Sequence, residues 1–263
     1  PQEGLVCSVT TPTTPDQELL ATFKTAVTLY QSGHLDRAAE LCLQIHQAAS
    51  DKADPVNLLA IIRARQGDCV EAENYFTEAL QRAPRRADIH ANYAKYLIDT
   101  HQYELATQAC KRSLELNPHQ HEGHFLHGLS VRRQGRRREA VKCFQQALEH
   151  KPDFNQALIN LGQTHYELGQ FDLALDPLYK ALQHKTNDVD LHITLGHCLK
   201  QLSKASEAYA HYSQALRINP QAPAAQQGQA EVHPAWLEPL EGKKLLLRPH
   251  QVDDAAFLKR CFS

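Results

Sequence analysis

No stretch of the 263 residues approaches the ~18 consecutive apolar side chains needed to cross a bilayer. Neither sign of charge predominates: 28 Lys and Arg stand against 30 Asp and Glu, a formal net charge of −2. That balance argues against nucleic acid as the main ligand, because phosphate backbones demand concentrated positive charge. It argues equally against a polybasic membrane anchor. Pro1 to Gln17 lack a basic region followed by an apolar run, so no signal peptide is expected. The seven cysteines, at 7, 42, 69, 110, 143, 198 and 261, include no CxxC pair. This disfavours a zinc ribbon or a disulfide framework and fits a reducing cytoplasm. A Gly-rich phosphate loop and a nucleophile elbow are also missing, so neither a cofactor nor an enzymatic activity is expected of this chain.

What the sequence does have is a period. Gly33, Gly67, Gly135 and Gly169 are spaced by 34, 68 and 34 residues, and Pro84, Pro118, Pro152 and Pro220 by 34, 34 and 68. Ala38, Ala72, Ala106, Ala140, Ala174 and Ala208 hold a strict 34-residue step. A second ladder of small residues runs through Ala26, Ala60, Ala94, Gly128, Gly162 and Gly196. Two helices packed 8–10 Å apart leave little room where their axes come closest, so small residues at both ladders admit a close helix pair. The glycines fall where a turn needs positive φ, and the prolines where a second helix must stop.

With these residues, the period resembles the tetratricopeptide repeat, a pair of antiparallel helices. The resemblance implies an all-α fold, a right-handed α-α superhelix of about six helix pairs. The repeats are placed at 19–52, 53–86, 87–120, 121–154, 155–188 and 189–222, after an N-terminal extension 1–18. Residues 223–242 are expected to form a capping helix and linker, and 243–263 the truncated start of a second domain. Repeat two carries the family pattern well, with Leu59, Ala60, Gly67, Ala72, Phe76, Ala79, Leu80 and Pro84. Departures are Thr25 and Ser50 in repeat one, His101 at the turn of repeat three and Thr186 in repeat five. Pro177, well inside a second helix, is expected to bend it.

In such an array the first helices line the concave side, through residues at i, i+3, i+4 and i+7. The candidate groove residues are Phe23, Tyr30, Asn57, Ile61, Arg65, Asn92, Lys95, Phe125, Leu129, Arg132, Arg133, Ile159, Asn160, Gln163, Tyr166, His197 and Lys200. This mixture of apolar strip, amides and both charges suits a peptide or partner protein, and the expected function is a protein-interaction scaffold. The alternative is that these residues close the superhelix against itself or cover a neighbouring segment. Some family members clamp a C-terminal carboxylate with Lys, Asn and Arg; here Phe23 and Val27 hold the opening clamp positions, so that activity is not carried over.

Two clusters have a bland and a functional reading. Arg132, Arg133, Arg136, Arg137 and Arg138, with Arg85 and Arg86, form either a solvated corner or a dock for an acidic partner or phosphate. His119, His121, His124 and His127 fall short of the i, i+4 zinc pair, and His90, His124 and His192 recur at one repeat position, so structural imidazoles are expected. Cys42 and Cys110 take the slot that Phe76 and Phe144 fill elsewhere, and Cys69 and Cys198 are expected on packed faces.

Past Pro220 the pattern fades. Lys244-Leu-Leu-Leu-Arg-Pro249 reads as a strand and Val252 to Phe262 as an amphipathic helix. Together they resemble the opening of GNAT-type N-acetyltransferases, which implies an alternative function: the substrate-recruiting region of a larger acyltransferase, with no catalytic domain in this chain. The other reading packs 243–263 on the last repeat as a cap. An orphaned strand at 243–248 would favour a homodimer.

Overall fold

The structure, a computed structural model, describes residues 15–232. Those residues form thirteen helices and no strand. They are α1 (Pro15–Gln31), α2 (Leu35–Ala48), α3 (Ala53–Gln66), α4 (Cys69–Arg82), α5 (Ala87–Asp99), α6 (Tyr103–Leu116) and α7 (His121–Arg133). There follow α8 (Arg137–His150), α9 (Asn155–Glu167), α10 (Phe171–His184), α11 (Val189–Gln201), α12 (Ala205–Ile218) and α13 (Pro223–Val232). The chain divides into two compact units, Pro1–Asn187 with α1–α10 and Asp188–Ser263 with α11–α13. No described helix is long and apolar enough to cross a membrane. The expected strand 243–248, the helix after it and the dimer built on them lie outside the described residues.

In the first unit each helix pairs with the next across a turn of two or three residues, and each pair stacks on its neighbour. The two ladders are what the pairs close on. Ala26, Ala60 and Ala94 and all the alanines from Ala38 to Ala174 in the second ladder are fully buried. The second unit repeats the arrangement with Leu195, Ala208 and Tyr212 at its core and with α13 packed on α12.

Side-chain sizes are matched, sixteen residues apart, in five of the six pairs. Glycine stands where the second helix sends a large group: a Cβ on Gly128 would lie 2.5 Å from the Phe144 ring, one on Gly162 2.5 Å from Leu178, and one on Gly196 2.6 Å from Tyr212. Where the first helix has Ala26 or Ala94, the second has only Cys42 or Cys110, both buried in the same clusters as those alanines. Volume is thus balanced in five of the six pairs, while repeat two fits Ala60 and the Phe76 ring into one buried cluster.

All six turns carry a left-handed residue. Gly33, Gly67, Gly135 and Gly169 have φ between 72 and 85°, and His101 and Ser203 adopt 63 and 60° in the remaining two. The turn geometry therefore overrides the side-chain penalty at those positions. Pro177 is accommodated within α10, which continues from Phe171 to His184 with Pro177 buried.

Position four of the first helix is tied back to the preceding proline. His90 and His124 place Nε2 3.0 and 2.8 Å from the carbonyls of Pro84 and Pro118, and in the second unit Gln226 donates to the Pro220 carbonyl at 2.8 Å. His90 and His124 thus hold the backbone in place, whereas His192, at the same position after Thr186, meets His211.

Candidate functional site

On the first-helix face of the first unit, apolar groups are only partly covered: Phe23, Tyr30, Ile61, Leu129, Ile159 and Tyr166 are half-buried, while Lys95 and Arg133 are exposed. The Arg65 guanidinium sits 4.3 Å over the Tyr30 ring. Tyr166 meets Phe171 with ring centroids 5.7 Å apart. Asn92 extends its amide toward Asn57 Oδ1 at 3.4 Å.

Two candidates are placed more deeply than a lining residue should be. Asn57 is 9% exposed and Phe125 8%, the latter held among core aromatics, with Phe144 at 5.9 Å and Phe154 at 5.0 Å between ring centroids. Phe154 precedes α9 and folds over Phe125, a contact from a non-repeating position. Both residues contribute packing in this conformation.

Between α7 and α9 lies a charged network. The Arg132 guanidinium donates to Asn160 Oδ1 at 2.9 Å and pairs with Glu167, whose other oxygen accepts from Arg137 Nε at 2.9 Å. Arg132 also reaches Gln163 Oε1 at 3.5 Å, and Asn160 donates to its own helix at the Gln156 carbonyl, 2.8 Å. Partial burial works to raise the Glu167 pKa, but bonding and charge from Arg132 and then Arg137 outweigh it and hold the carboxyl below its ordinary value. Arg136 pairs with Glu139 on its own helix. Reading residues in repeat register had put Arg132, Asn160 and Gln163 on one face. The same register puts Glu167 on that face too; it does not bring in Arg137, which stands at a position that Leu35, Cys69, Tyr103 and Phe171 fill elsewhere.

Burial pushes the thiols of Cys42 and Cys110 up to about 12 and those of Cys143 and Cys198 up to about 11, so these four act as small apolar groups. Cys69 departs from expectation: as the first residue of α4 it is exposed rather than packed. Its carbonyl is nevertheless used, accepting from Tyr96 Oη at 2.9 Å. An open depression of about 600 Å³ at the α1–α2 turn, lined by Leu29, Gly33, Asp36 and Gln66 among others, includes none of the candidate residues. Among the described residues, no group of three His, Cys, Asp or Glu is placed to hold a metal ion.

In the second unit, His197 Nδ1 lies 2.8 Å from Tyr212 Oη and Lys200 pairs with Glu231 of α13 at 2.5 Å. His192 and His211 meet at 3.0 Å between their Nδ1 atoms. Burial first, and then the His192 ring, push His211 down to about 4, with Glu207 opposing.

Known proteins agree with this geometry. Family descriptions of the tetratricopeptide repeat match residues 63–127, 125–189 and 189–221. Protein O-mannosyl-transferase TMTC1 of Homo sapiens is 27% identical over 199 residues, covering 74% of this chain and 22% of that protein. Hsp70-Hsp90 organizing protein 1 of Glycine max is 22% identical over 169 residues, covering 64% of this chain and 28% of that one. The chain thus spans about a quarter of the length of these relatives. Among solved structures, pilF of Pseudomonas aeruginosa superposes with a TM-score of 0.75 at 18% identity, covering 82% of this chain and 98% of its own. YrrB, described as a TPR protein with an unusual peptide-binding site, gives 0.63 at 16% identity, covering 73% and 99%. The acetyltransferase resemblance of 243–263 finds no counterpart in these family matches, which end at residue 221. Residues 63–221 of this chain are therefore tetratricopeptide repeats.

Proposed function

We propose that the chain is a protein-interaction scaffold that holds a peptide or a partner protein on the first-helix face of its repeats. The observation that carries this reading is the row of half-buried apolar side chains, Ile61, Leu129 and Ile159 among them, left along one face of the first unit beside the amide of Asn92. Leaving such groups partly wet forgoes roughly 25 cal/mol for each Å² that a ligand would cover. The peptide-binding site named for YrrB supports the reading by analogy of fold. The five described cysteines, unpaired and mostly buried, support a reducing compartment such as the cytoplasm.

A photo-crosslinking residue placed at Ile159 should capture a partner from a cell extract, and the same residue at exposed Lys142 on the second helix should not. Replacing Ile61, Leu129 and Ile159 together by Ala should abolish a complex so identified while the helical circular dichroism persists. Equal capture from both positions would move the binding surface off this face.

A further inference from the structure

We infer that the corner where α7 ends and α8 begins is a dock for an acidic, Asp/Glu-rich segment of the partner; this rests on the scaffold reading above. The corner holds Arg132, Arg133, Arg136, Arg137 and Arg138 within seven residues of a chain whose overall charge is −2. Among the described residues, only two carboxylates answer them. Glu139 pairs with Arg136, and Glu167 alone serves both Arg132 and Arg137, one oxygen to each. Arg133 and Arg138 are exposed and have no ion-pair partner among the described residues. A guanidinium offers five N–H donors in a fork that fits carboxylates, so two forks sharing one carboxylate leave donors unfilled.

The local sequence also disobeys the rules that its sister repeats follow. Arg136 at the N-cap of α8 makes no side-chain capping bond, as in α2, α6, α10 and α12, but Arg137 and Arg138 occupy the first two positions, where none of those helices carries a cation. Positive charge there opposes the helix dipole. The equivalent of Arg137 in the next repeat, Phe171, packs instead on Tyr166. Local penalties of this kind, repeated at one corner and only partly relieved by Glu139 and Glu167, mark a site built for something outside it. The corner is continuous with the proposed groove, because the same Arg132 that pairs with Glu167 donates to Asn160 on the first-helix face. Glu167 then acts as an internal occupant, holding the fork in shape until an external carboxylate replaces or joins it.

Fluorescence anisotropy with a labelled deca-glutamate peptide tests this on the whole chain. We expect saturable, salt-sensitive binding, weakened at least tenfold by Arg133→Gln/Arg136→Gln/Arg138→Gln, whose side chains are exposed, and retained in the corresponding triple Lys variant. Glu167→Gln should tighten binding several-fold, because it removes the competing charge; a carboxylate with a purely structural role would not do so. Absence of binding, or binding indifferent to the triple Gln variant, overturns the inference, and so does a dT20 oligonucleotide that binds equally well with the same arginine dependence. If the Ile159 crosslink captures its partner normally while deca-glutamate is ignored, the groove reading stands and only the corner fails. Arginine-dependent peptide binding with no capture at Ile159 keeps the acidic dock and removes the groove.

Discussion

A Cβ on Gly128 would meet the Phe144 ring at 2.5 Å. Helix propensity favours Ala over Gly by about 1 kcal/mol, but overpacking a dense core costs typically about 1–3 kcal/mol, so the clash decides the sign. Gly128→Ala is expected to lower the urea midpoint. Combining it with Phe144→Cys recreates the pairing of Ala26 with Cys42 and of Ala94 with Cys110. The double variant should lose less stability than the two single changes summed, with a coupling of about 0.5–3 kcal/mol. Strict additivity would show that the size matching is incidental. The turns offer the opposite sign. Ser203 adopts φ 60° where four sister turns use Gly. Ser203→Gly should raise stability by about 0.5–1 kcal/mol in thermal melts, as left-handed strain of ~1–2 kcal/mol outweighs the entropy cost of Gly. At His101 the gain should be smaller, because its ring also accepts or donates a 2.8 Å bond with Tyr103 Oη.

At the level of single helices, the burial of His211 on α12, reinforced by His192 on α11, makes the second unit acid-sensitive. An ordinary His has a pKa near 6.5, and the folded His211 titrates near 4. Between those values the unfolded chain binds more protons, so stability is complete above about pH 6.5 and falls as pH drops toward 4. His197, lowered by burial and then by Lys200, adds in the same direction. Because His211 keeps some contact with water, the loss is about 1–2 kcal/mol once solvent screening is allowed for. Urea midpoints at pH 7.5 and 5.5 should differ in the native chain and differ less in His211→Gln. The helix ends tell how far sequence reading reaches. The 34-residue ladders gave each helix pair its place because small residues recur there and nowhere else so regularly. Phe125 could not be placed that way: it is covered by Phe154, which belongs to no ladder. Arg132 and Glu167 lie one period plus one residue apart, so the register puts them on adjacent first helices, but it does not tell that they bond. Arg137, however, was visible in principle, as a charge in a slot that is apolar in the sister repeats.

For the molecule as a whole, the buried thiols give a built-in map of cooperativity. Cys42, Cys110, Cys143 and Cys198 are buried in repeats one, three, four and six, while Cys69 is exposed. Stacked repeats are stabilised by their own packing plus nearest-neighbour contacts, so they need not open together. Pulse labelling with iodoacetamide at pH 8 should modify Cys69 at once in the native chain and leave the four buried thiols protected. In rising urea those four should become reactive at different midpoints, each reporting the opening of its own repeat. A single shared midpoint would show the described helices melting as one block.

The pairing of a bulky group with a bare backbone carries a consequence for how such a chain is inherited. Gly128 with Phe144, Gly162 with Leu178 and Gly196 with Tyr212 each lie sixteen residues apart inside one period. A gene rearrangement that copies, deletes or shuffles whole 34-residue segments therefore carries both members of a pair along. Point substitution at these three pairs has no such protection: either member changed alone leaves a collision or a hole, unless the surroundings adjust as they do around Ala60 and Phe76. Arrays of this kind can thus lengthen and shorten far more freely than any one of their segments can drift.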